Sequence, residues 1–286
     1  MLILQLLVNG LITGVGLGMV AMSFALIYAT LRIFHVAHAA VWTLSGYIAY
    51  SAMRAGLPLA LALAVGVAAA AASGALIQLL IYAPLQRRGA SGLVVLIASL
   101  GVLAVMQNVL AGVYSADILQ FPGSWAGRVV HVSGLLLTRA QLATVAAGLI
   151  AYALLALLTR RTLLGAQIRA VAANPFLAEI TRLEPRRVYV VVMAIASAVV
   201  ALPGMLVPLD LGLQPYAGIT PLLEATIAMI AGGIGSLTGA LALSIMIAVL
   251  QNLSLLVMPG EWAIGSTFAL FVVFMLFRPQ GLFAAP

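Results

Sequence analysis

Residues 8–31, VNGLITGVGLGMVAMSFALIYATL, run without a charged side chain. About 20 such residues, wound as helix, cross a hydrocarbon core of about 30 Å. The run therefore reads as a membrane span. Gly10, Gly14 and Gly18 recur every four residues within it, which places them on one helix face. Small residues at that spacing let a second backbone approach closely, so packing is their expected role, ahead of a substrate groove.

Comparable runs recur at 36–54, 58–82, 92–114, 139–159, 187–208, 220–232, 237–258 and 263–277. The expected fold is an all-α integral membrane protein, a polytopic bundle of eight or nine transmembrane helices, with broken helices near 203–235. Composition agrees. The 286 residues are 65% hydrophobic and 7% charged, with a mean hydropathy of +1.23. A soluble domain carries roughly a quarter charged residues. Strand-length alternating segments are missing, which argues against an outer-membrane barrel.

All 13 basic residues are Arg. A net charge of +7 would suggest nucleic acid in a soluble protein; here the bias of Arg toward cytoplasmic loops explains it, and no nucleic-acid partner is expected. Placing the gaps that hold Arg32, Arg87, Arg88, Arg160–Arg187 and Arg278 inside leaves only Arg54, Arg128 and Arg139 outside. The N-terminus is then outside and the C-terminus inside. The first Arg is Arg32, beyond the first apolar run, so no cleaved leader is expected and span 1 stays in place. The chain has no Cys, which removes thiol chemistry and Cys-based metal sites.

Two gaps are long. Residues 115–138, expected outside, hold Pro122-Gly123, Gly127 and the β-prone VVHV, a hairpin signal. Residues 160–187, expected inside, read as one or two surface helices broken at Asn174-Pro175 and Pro185. Their periodic Ala and Leu suggest a docking face. The run 220–231 offers only about 18 Å of helix, too short to cross alone. Thr220 and Pro221 read as its cap and first residue, with Glu224 in the first turn. Gly232, Gly233 and Gly235 then break the chain, as in discontinuous membrane elements.

Catalytic readings do not fit. The glycines of AGGIGSLTGA (231–240) have GxGxxxG spacing, lie between apolar helices, and no Lys exists to complete a phosphate loop. His35 and His38 share a helix face but lack a nearby carboxylate for a zinc site. GASG at 89–92 resembles the serine motif of rhomboid intramembrane proteases, yet the only later His, His131, falls on the opposite side; a serine protease stays a remote alternative. Asp117 and Asp210 lie at span ends, unlike an intramembrane aspartyl pair. No catalytic residue and no metal ligand is expected. An ion-coupled secondary transporter with a site at the broken span remains the main rival to the reading below.

Residues 16–50 resemble the first two spans of branched-chain amino acid ABC transporter permeases, whose NFAHG-like motif matches through His38 and whose later Gly-Tyr pair matches Gly46-Tyr47. YAPLQRR (82–88) resembles the family's YRPLR segment. IASLGVLAVMQN (97–108) resembles its helix ending in QN, through Ser99, Gly101, Gln107 and Asn108. GAQIRAVAANPFLA (165–178) is similar to the inner-loop pattern through Gly165, Arg169, Ala170, Asn174 and Ala178. AGGIGSLTGA matches the GG-x-G-S-x-x-G-A sequence, and RPQGLF (278–283) the usual ending. Departures are His35, Ala39 and Ala40 around the first motif, Thr181-Arg182-Leu183 in the inner loop, and Glu224 where some relatives carry a basic residue; they bear on the substrate.

The resemblance implies a single transmembrane permease domain over 1–286, multi-pass in a bacterial inner membrane, with 115–138 a periplasmic loop and 160–187 a cytoplasmic coupling loop. It implies a second homologous permease as heterodimer partner, two ATP-binding cassette subunits and a periplasmic substrate-binding protein. ATP and Mg would be bound by the partner ATPases, with no cofactor in this chain. Gly165, Arg169, Ala170, Asn174, Ala178 and Glu179 would couple to the ATPases. Candidates for the translocation pathway are His38, Gln107, Asn108, Glu224, Gly232, Gly233 and Gly235. The implied cargo is a branched-chain amino acid or a related small polar organic solute.

Overall fold

The computed structural model describes residues 1–123, 129–132, 134–277 and 281–283. Gly127, Arg128 and Arg278, used above for the outer hairpin, the charge bias and the C-terminal motif, lie outside the described residues. Helices dominate: α1 Leu2–Leu31, α2 His38–Arg54, α3 Leu59–Ile77, α4 Ala83–Arg87, α5 Gly92–Tyr114, α6 Arg139–Arg161, α7 Leu163–Ala173, α8 Pro175–Ile180, α9 Pro185–Leu206, α10 Pro208–Leu211, α11 Ile219–Gly232, α12 Leu237–Ser254 and α13 Ala263–Phe277. Among the described residues, six helical segments are long and apolar enough to cross a membrane; α11 and the described part of α13 are apolar but shorter. The protein is thus a polytopic α-helical membrane protein. A hairpin is present within 115–138, as β1 Val129–Val132 antiparallel to β2 Leu135–Thr138.

α1 is the axis of the bundle and is buried through most of its length. The glycine stripe lies against α12. A Cβ on Gly10 would sit 2.7 Å from the Val249 Cα, and one on Gly14 2.5 Å from the Ile245 Cα; Gly18 faces Leu241. Four residues forward along α1 match four residues back along α12, so the two helices run antiparallel with backbones in contact. Without a hydrophobic drive between spans in lipid, such contact is a main source of association. α3, α5 and α6 form the periphery and turn Leu and Val outward: Leu80 in the turn that follows α3, Val105 and Leu154 are each at least 60% exposed.

Helix irregularities follow proline. α3 continues into a wide π turn, Gln78–Tyr82, before Pro84 opens α4. Pro84 has no N–H for the carbonyl one turn back, and the wider turn absorbs the missing bond. Pro203 sits inside α9 and Pro208 starts α10, which bends the end of this span. Gly204 presses against the Trp42 carbonyl of α2, and the Ser45 hydroxyl donates to the carbonyls of Trp42 (2.7 Å) and Ala201 (3.3 Å). Two sequence expectations shift here. α11 begins at Ile219 with Gly218 as its cap, not at Thr220, because Gly218 packs on the Ala39 carbonyl and starts the turn earlier. Glu224 consequently falls beyond the first turn.

Candidate functional site

The expected pathway residues do not converge on one site. His38 is fully buried, its Nε2 2.9 Å from the Ser23 hydroxyl. That hydroxyl donates to the Val20 carbonyl at 2.9 Å. His38 Nδ1 has no partner among the described residues, so no third group orients the ring as a base for Ser23. His35, also fully buried, holds its Nδ1 2.7 Å from the Tyr82 hydroxyl. This pair of histidines knits α1, α2 and the end of α3 together. Among the described residues no group of three His, Cys, Asp or Glu side chains is placed to hold a metal.

Gln107 is buried on α5 with its Nε2 lacking a partner among the described residues. Asn108, the next residue, is exposed and donates to the Ala104 carbonyl of its own helix at 2.8 Å. Consecutive residues on a helix point about 100° apart, so one faces the bundle and the other leaves it.

Glu224 accepts from Gln251 Nε2 at 3.0 Å, and the same amide nitrogen lies 2.5 Å from the Thr267 hydroxyl. Glu224 also lines a cavity of about 250 Å³ between α1, α2, α6, α9, α10 and α11. The walls are apolar, with Trp42, Pro203 and Leu206; the polar groups are Thr13, Gln141, Thr144, Asp210 and Glu224. Asp210 accepts from the Thr138 hydroxyl at 2.5 Å, and its buried Oδ1 has no partner among the described residues. Sequence reading placed Asp210 at a span end and stopped there. Only the bend at Pro203 and Pro208 turns it back toward α1 and α6.

The glycine break is a packed joint. Gly233 (φ 101°) and Gly235 (φ 88°) hold the left-handed backbone that favours glycine, and Ser236 caps α12 by accepting from the Gly239 N–H at 3.0 Å. Gly232 and Gly239 meet backbone to backbone. The described C-terminal residues close the joint: Leu282 N–H donates to the Ala231 carbonyl (2.9 Å) and Phe283 N–H to the Gly232 carbonyl (3.1 Å). These carbonyls would otherwise end α11 unpaired.

The segment 160–187, expected to couple to ATPases, folds as α7 and α8. Thr162 caps α7 through the Gly165 N–H at 3.0 Å, and Gly165 lies so close to the Leu158 and Thr159 carbonyls that no side chain fits. Asn174 caps α8, its Oδ1 accepting from Phe176 N–H (3.0 Å) and Leu177 N–H (3.1 Å), with Pro175 at the first position. Ile168, Val171 and Ala178 are buried against the bundle. Arg169, Ala170 and Glu179 are exposed, and so are Phe176, Leu177 and Ile180, which sequence reading did not single out. Their signal was an apolar Phe-Leu-x-x-Ile run inside the most polar loop. Asn174→Ala is expected to cost about 1 kcal/mol of local helix stability. Amide exchange in 175–180 should quicken while exchange in α1 stays unchanged.

A family model described as "Branched-chain amino acid transport system / permease component" matches residues 6–277. The chain is 25% identical to the high-affinity branched-chain amino acid transport system permease protein BraD of Pseudomonas aeruginosa, over 99% of this chain and 96% of that protein. It is 25% identical to the corresponding LivH of Escherichia coli K12 and 24% identical to LivH of Salmonella typhimurium, again over 99% and 96%. The fold is similar to that in a complex of PsaBC from Streptococcus pneumoniae with a Fab: TM-score 0.52, 15% identity, covering 95% of this chain and 91% of that one.

Proposed function

The chain belongs to the permease-component family of branched-chain amino acid transport systems, and from that premise we propose that it is the membrane subunit of an ATP-binding cassette importer for a branched-chain amino acid or a related small polar solute. The match across residues 6–277 carries this reading. The whole chain, 1–286, acts as one transmembrane domain in a bacterial inner membrane, N-terminus outside and C-terminus inside. Residues 115–138 face the binding protein and 160–187 face two ATPase subunits, which bind ATP and Mg. The exposed Phe176, Leu177 and Ile180, beside Arg182, suit an ATPase groove with an acidic edge. A short helix seated there passes closure on as rigid-body motion.

A second, homologous permease packs along α5, where side chains added at Gly101 and Gly112 would meet nothing and Asn108 is exposed between them. The solute route then runs between the two permeases and takes in the cavity beside Glu224, with His38 and Gln107 supporting the helices that border it. Selectivity rests mainly with the binding protein.

Vesicles holding both permeases and the ATPases, given binding protein and radiolabelled leucine, test the reading. Uptake is expected to need ATP, to stop with vanadate and to persist after an ionophore collapses ion gradients. Uptake that the ionophore abolishes and that proceeds without the ATPases would instead identify an ion-coupled transporter.

A further inference from the structure

Three arginines from separate segments line one cavity of about 470 Å³: Arg32 just after α1, Arg160 near the end of α6, and Arg169 in the middle of α7. Among the described residues no acidic side chain lines this cavity. Among the described residues none of the three is ion-paired; the salt bridge found joins Arg187 and Glu184 elsewhere. Arg32 is aimed by a left-handed turn (φ 55°), and its Nη2 donates to the Ala172 carbonyl at 3.4 Å. Ser236 and Thr238, at the N-terminus of α12, form the facing wall. That end of an 18-residue helix adds positive potential to the same space.

Three guanidinium groups around one cavity, with no counter-ion among the described residues, repel one another and favour an anion. A guanidinium fork matches phosphate oxygens two at a time. The surroundings select the source of that phosphate. Leu26, Ile168 and Leu237 supply apolar wall. One turn or so back along α6, Leu154 and Leu157 are more than half exposed, forming an apolar outer face that ends at Arg160. Tyr152 and Thr238, hydroxyls 3.1 Å apart, join α6 to α12 beside the groove. A free phosphate ion would use the arginines and leave that apolar approach unused.

We propose that the cavity holds the phosphate of an anionic phospholipid of the inner leaflet, with its acyl chains lying along the outer face of α6. Basic pockets between spans on the cytoplasmic side take such headgroups. The inference rests on the inward placement of residues 160–187 proposed above. A lipid seated there ties α7 to α1, α6 and α12, and so fixes the base on which the coupling segment moves.

The test uses the full chain purified in a neutral detergent. It is supplemented with phosphatidylglycerol, phosphatidylcholine or inorganic phosphate, and read by native mass spectrometry and by melting temperature. Phosphatidylglycerol should be retained and should raise the melting temperature; phosphatidylcholine and inorganic phosphate should do neither. R32Q together with R160Q, with Arg169 untouched, should lower phosphatidylglycerol retention on the order of tenfold or more, from loss of two charges at the membrane surface. If that pair fails to accumulate, R32K with R160K keeps the charges but loses the forks, and weaker retention than wild type is expected. Equal retention of the two lipids, or unchanged retention in the variants, overturns the proposal. So does stabilisation by inorganic phosphate that matches phosphatidylglycerol. Orientation is scored separately. The chain has no Cys, so Ala166→Cys gives one label site, expected to react with an impermeant maleimide only from the inner side. Labelling from outside overturns the orientation on which both readings stand, whereas lipid results alone overturn only this one.

Discussion

Phe176→Ala is expected to uncouple the importer while leaving the permease folded. Phe176 is 69% exposed on α8, between the Asn174 cap and the buried Ala178. A side chain that exposed contributes little to the fold of the isolated chain, so its melting temperature should hold. In a groove of a partner protein the same ring becomes an anchor. Truncating such an anchor costs about 2–4 kcal/mol, or roughly 30- to 1000-fold in affinity. Co-purification of the ATPases should fall accordingly, and ATP-driven uptake with it. Ile180→Ala, one turn on, should act the same way more weakly. Full uptake with Phe176→Ala at normal ATPase occupancy would remove α8 from the coupling surface.

The spans were legible because lipid imposes a length and excludes charge, and both leave marks in a single sequence. What a span's polar residues do was less legible. A helix that is apolar all round gives no periodic signal for its rotation about its own axis. Gln107 and Asn108 read alike in sequence, yet one is buried and the other exposed. The start of α1 shows the same limit at a helix end. In sequence the apolar run opens at Val8, after Gln5, but the helix begins at Leu2, where the Gln5 amide pairs with both the N–H and carbonyl of Leu136 in the hairpin. A partner 131 residues away satisfies that side chain. α11 likewise starts before its Thr-Pro signal because a carbonyl of α2 lies under Gly218.

The cavity beside Glu224 was the least legible feature, since its polar groups come from four helices far apart in the chain and form no motif together. The segment of α7 and α8 lies at the other extreme. Thr162 and Asn174 cap their helices by local rules, so its breaks followed from residue type alone. The capped helices α7 and α8 are thus encoded locally, the interior of the bundle by contacts across it.

The α1–α12 seam carries the second large effect. A Cβ at Gly14 would lie 2.5 Å from the Ile245 Cα and 3.2 Å from its N, both backbone atoms in the middle of a helix. Neither can swing aside as a side-chain tip would, so the helices must separate and lose contact on both sides of the site. Overpacking of this kind costs about 1–3 kcal/mol for a methyl group, and more for a larger side chain. Gly14→Ala should therefore lower the melting temperature by several degrees, about 2–4 °C for each kcal/mol in a chain of this size. Gly14→Leu should leave no folded chain. Gly101 on α5 is the control. A Cβ there meets nothing within 4 Å, so Gly101→Ala should keep or slightly raise the melting temperature through helix propensity, worth about 0.5–1 kcal/mol. Uptake per folded Gly14→Ala complex decides what the seam is for. Normal specific uptake makes the stripe a packing device. A chain that melts like wild type but no longer transports would mean that α1 slides along α12 during the cycle, and that Gly14 belongs to the moving route.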